Sequence, residues 1–336
     1  MISREEKLST LASLVCKKPD KIPIEECYRR KASYELPCQE YGKCRLIEKS
    51  DEQVEYVMSD KNPGTFLRAC PGSGKTEVVG LRASYLMRRW QKQGEGIAIL
   101  TFTNTAADTV RDRVIRFAGN LSYPHFVGTF DSWLHGYLLN PFGHYFTKYE
   151  GNDSDRSVRV VDHNSTAPFL HSFKTKYSYA QKGNVYANQY FFEKDNLDYV
   201  IVFHSSNYGI DYSRNTLTLQ EWQSKDLVKT KKKFWQSGLV IHNDVPIICE
   251  KILKDYERIR KRLAKRFPVI IVDECQDLDS AQLSLLQHLQ ENGSRVHFVG
   301  DLNQAIFGFK HVDPLLVEEF VRKCGLKERR LTYNYR

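Results

Sequence analysis

A glycine-rich segment between an apolar run and a helical pattern constrains the fold of this chain most. The segment is ACPGSGKT at residues 69–76, directly after the apolar run TFLRA, and this strand–turn–helix context is the one that a Walker A motif requires. Gly72 and Gly74 allow the backbone to bend so that its N–H groups face a β-phosphate, and the helix N-terminus favours the anion further. Lys75 is predicted to reach the β- and γ-phosphates, and Thr76 to offer a hydroxyl to Mg²⁺. The residues predicted to bind the nucleotide are Pro71, Gly72, Ser73, Gly74, Lys75 and Thr76.

Two further apolar runs end in side chains that suit the same chemistry. One run ends in Asp273 and Glu274, within VIIVDECQD. In a phosphate-loop fold such a pair is the Walker B motif: Asp273 is predicted to hold Mg²⁺, and Glu274 to act as general base toward the attacking water. A second run ends at Asp301 in VGDLNQAIFGFK, where Gln304 is a candidate uncharged sensor of the γ-phosphate. For this segment, a loop with a helix cap is the alternative.

Strand and helix patterns alternate on both sides of a different central region. The runs TFLRA and GIAILTFT are each followed by apolar residues at helical spacing, which predicts an α/β fold with a parallel sheet covered by helices. This core is assigned to residues 51–140 and 241–336. Residues 141–240 are rich in Tyr, Phe, Asn, Ser and Lys and predict an inserted mixed α/β subdomain, while residues 1–50 form a separate polar segment.

Two local patterns near the end of the insert make definite predictions about secondary structure. The stretch NTLTLQEW, residues 215–222, predicts a strand. The stretch PIICEKILKDYERIRKRLAKRF, residues 246–267, predicts one continuous basic helix, because its apolar residues recur along one face. The lysine run KTKKKFW at 229–235 indicates a surface facing duplex DNA, a docking surface for a partner protein, or only a solvated face.

Composition narrows the class of protein. The formal net charge of +9 in 336 residues favours polyanion partners, with solubility alone as the alternative.

No stretch approaches the roughly 18 apolar residues of a membrane span, so no membrane partner is expected. The N-terminus is charged where a signal peptide is apolar, which predicts a cytoplasmic protein. The spacing of Cys16, Cys27, Cys38 and Cys44 is not typical of a zinc site.

Six motifs occur in order along residues 51–336, and together they resemble a superfamily 1 helicase of the UvrD, Rep and PcrA type. ACPGSGKT is similar to motif I, LTFTNTAADTVRDRV to motif Ia, VDECQD to motif II, VGDLNQAIFGFK to motif III and TYNYR to motif IV. SDEQVEYV resembles the Q motif, which implies that Gln53 contacts adenine. The resemblance implies a RecA-like ATPase core that uses ATP and Mg²⁺. It also implies translocation on single-stranded or partly duplex DNA in the 3′ to 5′ direction.

The resemblance also implies DNA contacts. Phe102 corresponds to the motif Ia aromatic residue that stacks on a base, and Phe307 and Phe309 stand where the family has aromatic residues that sandwich bases. Core packing is the alternative for these phenylalanines. Asp131 departs from the family's TFHS pattern, and an acid facing a phosphate would repel it. Residues whose positions imply phosphate contacts are Thr103, Asn104 and Thr129.

The final residue, Arg336, completes the NYR of motif IV. In the family that the chain resembles, this arginine reaches the γ-phosphate, which implies a catalytic role for Arg336. The resemblance therefore predicts a first motor lobe that a second RecA-like lobe completes. An alternative is a nucleotide- and DNA-binding module that regulates a partner such as a nuclease. A small-molecule kinase is a further alternative, against which the pairing of DECQD with GDLNQ argues.

Overall fold

The computed structural model of the protein divides into two compact units. The first unit comprises Met1–Phe130, Lys261–Asp279 and Leu286–Arg336, and the second comprises Asp131–Arg260 and Ser280–Leu285. The predicted limits of the insert, residues 141 and 240, therefore lie inside the second unit. The structure describes residues 6–7, 10–11, 49–178, 184–195, 198–203, 220–302 and 314–332.

Helices and strands alternate along most of the described chain. The strands are β1 (Thr65–Ala69), β2 (Ile97–Thr101), β3 (Phe126–Thr129), β4 (Arg159–Val160), β5 (Lys174–Ser178), β6 (Asn184–Tyr186), β7 (Tyr190–Asp195), β8 (Asp198–Phe203), β9 (Leu239–Val240), β10 (Val269–Asp273), β11 (Arg295–Gly300) and β12 (Lys327–Leu331). The α-helices are α1 (Asp51–Met58), α2 (Lys75–Arg88), α3 (Asn104–Ala118), α4 (Phe130–Leu134), α5 (Asn140–Thr147), α6 (Glu221–Gln236), α7 (Asp244–Asp255), α8 (Glu257–Arg266), α9 (Ser280–Glu291) and α10 (Pro314–Lys323). A π-helical turn, His135–Leu139, joins α4 to α5, and a 3₁₀ turn, Cys275–Asp277, follows β10.

The first unit is built on a sheet of six parallel strands. Their spatial order is β12, β1, β11, β10, β2, β3, and every neighbouring pair is parallel. Every residue of β2 and β10 is buried, because the central strands of a parallel sheet are covered on both faces, and this explains their continuous apolar sequences. The predicted α/β fold with a helix-covered parallel sheet is confirmed.

Local capping explains where α1 and α3 begin. Ser50 and Gln53 form a capping box at the start of α1, in which the Ser50 side chain accepts from the Gln53 N–H. The Thr103 hydroxyl oxygen accepts the N–H of Ala106 at the start of α3. The helix ends at Gly119, which has a left-handed φ of 86°. Polar residues at these boundaries therefore set the helix limits that the apolar pattern predicts.

The second unit combines helices with three two-stranded sheets, formed by β4 with β9, β5 with β6, and β7 with β8. Its interior contains the fully buried Lys231 of α6. The Lys231 ammonium donates to the carbonyl oxygens of Ala187 at 2.9 Å and Tyr190 at 2.8 Å, and lies 2.9 Å from Oδ2 of Asp244. The same carboxylate oxygen accepts from Nε1 of Trp235 at 3.0 Å. The inserted region is therefore mixed α/β, as predicted, and the second unit contains a buried ion pair in which Oδ1 of Asp244 has no hydrogen-bond partner among the described residues.

Two local predictions are wrong. The predicted continuous helix is divided into α7 and α8, because Tyr256 leaves helical geometry at φ −117° and ψ 87°. The Tyr256 ring stacks on Tyr145 with centroids 5.0 Å apart, and Arg260 donates to the carbonyl oxygens of Leu253 and Lys254 that the break exposes. The strand predicted over NTLTLQEW is wrong at its C-terminal end, because α6 begins there at Glu221.

The described part of NTLTLQEW is helical because Gln220 and Gln223 form a capping box that starts α6. The remainder of that stretch, residues 215–219, lies outside the described residues. Within the described ranges, no helix combines the length and apolar character that crossing a membrane requires.

Candidate nucleotide and nucleic-acid site

The loop between β1 and α2 has the backbone geometry of a phosphate cradle. Gly72 and Gly74 have φ values of 76° and 78°, in the left-handed region that glycine adopts without strain. A Cβ atom on Gly74 would also lie 3.2 Å from Nε2 of Gln53. Ser73 is fully buried, and its Oγ has no hydrogen-bond partner among the described residues. A glycine cradle with an unsatisfied hydroxyl at a helix N-terminus fits a nucleotide phosphate.

Gln53 lies against this loop on the buried side of α1. Its Nε2 donates to the carbonyl oxygen of Ser73 at 2.9 Å, and its Oε1 accepts the N–H of Ser50 at 3.2 Å. One end of the side-chain amide therefore connects α1 to the loop backbone, and the other end caps α1 itself. The contact between Gln53 and adenine that the resemblance implies stays a prediction.

The predicted lysine and general base are in direct contact. Nζ of Lys75 lies 3.0 Å from Oε2 of Glu274. Glu274 has a φ of 54°, which is uncommon for a residue other than glycine and is typical of positions at which function constrains the backbone. The turn after β10 therefore brings the Glu274 carboxylate to the N-terminus of α2.

Asp273 is the buried member of the acidic pair, with 3% of its surface exposed. Its Oδ1 accepts the N–H of Glu274 at 3.0 Å. Burial, and then the charge of Glu274, raise the pKa of Asp273 to about 7, while Lys75 opposes the rise. A cation beside the carboxylate would favour its charged form.

Magnesium suits this donor set. The described residues contain no group of three or more His, Cys, Asp or Glu side chains that could hold a metal ion. Mg²⁺ is usually held by one or two protein ligands together with substrate phosphates. The carboxylate of Asp273 and the hydroxyl of Thr76 at the start of α2 are donors of the kind that such a site needs. Both assignments stay predictions.

Gln276 connects the two acidic strand ends, a role that the sequence analysis did not assign. Its Nε2 donates to Oε2 of Glu274 at 2.8 Å, and its Oε1 accepts the N–H of Asp301 at 3.2 Å. Gly300 makes this approach feasible, because a Cβ atom there would lie 2.4 Å from Oε1 of Gln276 and 2.8 Å from Sγ of Cys275. The sequence shows the glutamine within DECQD, but no local pattern shows that it bonds to Asp301, which lies 25 residues further along the chain.

The predicted DNA-contacting residues that the structure describes cluster at the ends of β2 and β3. These strands are neighbours, with Thr101 in register with Thr129. The half-buried Phe102 stacks on the buried Phe130 with centroids 6.4 Å apart and ring planes 16° apart. Thr103 and Asn104 are exposed beside it. These four candidates (Phe102, Thr103, Asn104 and Thr129) occupy one edge of the sheet, and their contacts with DNA stay predictions.

Four other predicted site residues lie outside the described residues. They are Gln304, Phe307, Phe309 and Arg336. Their proposed roles rest on the sequence motifs alone.

Residues 49–325 match the protein family described as the UvrD/REP helicase N-terminal domain. The chain belongs to this family. The match covers more than half of the chain and includes the phosphate loop and both acidic strand ends. The match therefore confirms the resemblance to the UvrD/REP family that the sequence motifs indicate.

Named relatives of the UvrD/REP type agree with this assignment. The chain is 24% identical to the "Probable DNA helicase II homolog" of Mycoplasma capricolum, over 78% of this chain and 35% of the relative. It is 27% identical to the "Probable DNA helicase" of Mycoplasma pneumoniae, over 79% of this chain and 49% of the relative. It is 26% identical to "DNA helicase II" of Escherichia coli, over 85% of this chain and 38% of the relative. The chain thus spans between 35% and 49% of the length of these relatives.

A solved structure of unliganded Pif1 from Bacteroides sp is also similar. It matches 86% of this chain and 42% of that chain, with 13% identity and a TM-score of 0.31. A superposition with this score is too loose to bear on the fold.

Proposed function

We propose that this chain is the first motor lobe of an ATP-dependent DNA helicase or translocase that moves 3′ to 5′ on single-stranded DNA. The observation that carries the proposal is the contact of Lys75 with Glu274 at 3.0 Å beside a left-handed glycine loop. This pair brings a candidate phosphate ligand and a candidate general base to the same edge of the parallel sheet. UvrD/REP membership supports DNA as the polymer on which the motor acts.

In this proposal, the phosphate loop and the acidic pair divide the work of ATP hydrolysis. Lys75 and the loop backbone bind the phosphates. Thr76 and Asp273 would hold Mg²⁺, which when bound would neutralise phosphate charge. Glu274 accepts the proton of the attacking water at its carboxylate. An ammonium group has three donors, so Lys75 can bind phosphate oxygens and retain its contact with Glu274.

In this proposal, Gln276 links the ATPase site to the segment that is proposed to contact DNA. Gln276 joins Glu274 to the backbone of Asp301 through bonds of 2.8 and 3.2 Å. Asp301 begins the segment that carries Gln304, Phe307 and Phe309 in the sequence. A change at the general base would therefore be transmitted to the segment that the resemblance assigns to γ-phosphate sensing and base stacking.

A basic face of α6 supports contact with a polyanion. Lys225, Lys229, Lys232 and Lys233 are exposed, and the exposed Trp222 lies three residues before the first of them. Positions 225, 229 and 232 recur at helical spacing, so their ammonium groups lie along one side of α6. We propose that this face binds the DNA backbone, because lysine–phosphate contacts need no base sequence.

The alternative function is a nucleotide- and DNA-binding module that acts with a partner such as a nuclease. The chain spans at most 49% of the length of the relatives compared above, so the activity of those whole proteins does not decide between the two functions. The two functions differ in turnover. A motor lobe hydrolyses ATP faster in the presence of single-stranded DNA, whereas a binding module does not.

The deciding experiment is steady-state ATP hydrolysis with and without single-stranded DNA. Lys75→Ala should abolish turnover if the phosphate loop is used as proposed. Lys92→Ala is a matched control, because Lys92 is an exposed lysine that pairs with Glu95, three residues along the chain. ATP binding without DNA-stimulated turnover in the unmodified chain would favour the binding module and contradict the motor.

A further inference from the structure

Two adjacent side chains of α1 contact two different parts of the candidate site. Gln53 donates to the carbonyl oxygen of Ser73 in the phosphate loop at 2.9 Å. Glu52 accepts both hydrogen bonds that Thr332 offers, from the backbone N–H and from Oγ1, each at 2.7 Å and each to a different carboxylate oxygen. Thr332 directly follows β12 and is the last described residue before Arg336. One helix therefore connects the phosphate loop to the start of motif IV.

The helix that makes this connection is itself held firmly. Arg82, fully buried on α2, donates to the carbonyl oxygens of Ser59 at 3.1 Å and Asp60 at 3.3 Å. It also donates to the carbonyl oxygen of Tyr56, and its guanidinium lies 4.7 Å from the centre of the Tyr56 ring. A cation that binds the last carbonyl groups of a helix is favoured by the helix dipole. Because α1 is fixed at its C-terminal end, displacement of its first turn is restricted.

We propose that Glu52 is a positioning residue that couples nucleotide binding at the phosphate loop to Thr332 at the C-terminal end of β12. The inference rests on the proposed function, in which the phosphate loop binds ATP. Each oxygen of the Glu52 carboxylate accepts one of the two donors of Thr332, and such charge-assisted bonds are short and directional. The bonds lie at the surface, where they add little to the stability of the fold.

Hydrogen–deuterium exchange tests the coupling directly, without relying on motor activity. The probe is a non-hydrolysable ATP analogue with Mg²⁺, and the readout is protection of peptides covering residues 69–76 and 327–332. In the unmodified chain both peptides should become protected when the analogue binds. In Glu52→Ala the loop peptide should still be protected, whereas protection at 327–332 should be lost. Equal protection at 327–332 in both proteins, or none in the unmodified chain, would overturn the inference.

Three further variants separate positioning from a purely structural role. Glu52→Gln should retain the coupling, because the amide oxygen can accept the Thr332 N–H while the amide nitrogen donates to Oγ1. Thr332→Val removes one of the two bonds and should give a partial loss that is not additive with Glu52→Ala. Asp108→Ala is the matched control, since Asp108 is an exposed carboxylate on α3 that pairs with Arg111 of the same helix, away from the readout peptide. A loss of coupling that tracked a lower Tm across these variants would contradict the proposal.

Turnover distinguishes failure of this inference from failure of the proposed function. Glu52→Ala should lower kcat for DNA-stimulated hydrolysis by roughly tenfold with little change in nucleotide affinity, as expected when a residue that positions part of the site is lost. Absence of protection in the loop peptide of the unmodified chain would contradict the proposed function itself. Loop protection and DNA-stimulated turnover that are both unaffected by Glu52→Ala would contradict only the role of Glu52.

Discussion

Lys75 and Glu274 are 199 residues apart in the chain, yet Nζ and Oε2 form an ion pair of 3.0 Å. β1 and β10 carry the two residues to the same edge because parallel strands present their carboxyl ends together. The left-handed backbone at Glu274 turns the carboxylate toward α2. This pair is the geometric centre of the proposed ATPase site.

Glu274→Gln should lower ATP turnover by roughly 100-fold or more while nucleotide binding is retained. The amide preserves the size of the side chain and one acceptor oxygen but does not accept a proton from water. Turnover and the Kd of a fluorescent ATP analogue measure the two effects. Glu221→Gln, at a carboxylate that is 81% exposed, is the control. Near wild-type turnover in Glu274→Gln would rule out the general-base role.

Gly74→Ala should weaken nucleotide binding through both strain and steric conflict. The new Cβ atom would lie 3.2 Å from Nε2 of Gln53, at a φ of +78°. Gly293→Ala is the control for a substitution at a positive-φ glycine outside the loop, because Gly293 has a φ of +112° and a Cβ atom there would meet no described atom within 4 Å. Strain alone costs about 1–2 kcal/mol. Equal nucleotide affinity in both variants would contradict a role for Gly74 in nucleotide binding.

Lys231→Met should destabilise the second unit by roughly 3–5 kcal/mol, because it leaves the buried Asp244 carboxylate without its cation. Urea unfolding followed by circular dichroism measures the change in the free energy of unfolding. Lys229→Met, at an exposed position two residues earlier on the same helix, should change it by no more than about 0.5 kcal/mol. Similar losses in the free energy of unfolding for the two variants would show that the Lys231–Asp244 pair, at 2.9 Å, does not contribute specifically to the stability of the second unit.

His297 should make the first unit less stable in mild acid. Burial, and then the charge of Arg82, lower its pKa well below 6.5, and its Nδ1 lies 2.9 Å from Oγ1 of Thr65. A histidine whose pKa is depressed in the folded state contributes stability that is complete above the unfolded pKa and is lost as the pH falls below it.

The measurement for His297 is the difference in free energy of unfolding between the wild type and His297→Gln from pH 7.5 to pH 5. The difference should shrink as the pH falls. Only the wild type has a histidine at this position, and that histidine binds a proton more readily in the unfolded state than in the folded state. Other titrating groups, including Asp273, are present in both proteins and cancel. A difference that is constant with pH would contradict the prediction.

Lysines 229 and 232 should contribute to DNA binding by counterion release. The double substitution Lys229→Ala/Lys232→Ala is expected to reduce the slope of log K against log salt by roughly 1.4 to 1.8, since each phosphate contact contributes about 0.7 to 0.9. Lys92→Ala/Lys323→Ala removes the same charge from exposed positions of the first unit. Equal slopes for the two double variants would indicate that the α6 face is only solvated.

Much of the first unit could be predicted because its signals are local. The apolar runs at β1, β2, β10 and β11 are strands, and the glycine loop opens α2 as expected. The edge strand β12 was not predicted. Its sequence KERRL is mostly exposed, so it carries no apolar pattern, and its pairing with β1 depends on the backbone of a distant segment.

The amino-acid sequence alone determined the parallel α/β fold, the UvrD/REP motifs and the residue types of the candidate ATPase site. These follow from apolar periodicity and from short motifs whose residues are neighbours in the chain. Only the tertiary structure decided that Gln276 joins Glu274 to Asp301, that Glu52 holds Thr332, and that Tyr256 divides a predicted helix. Such contacts depend on packing between segments far apart in sequence, and no local pattern encodes the distance between them.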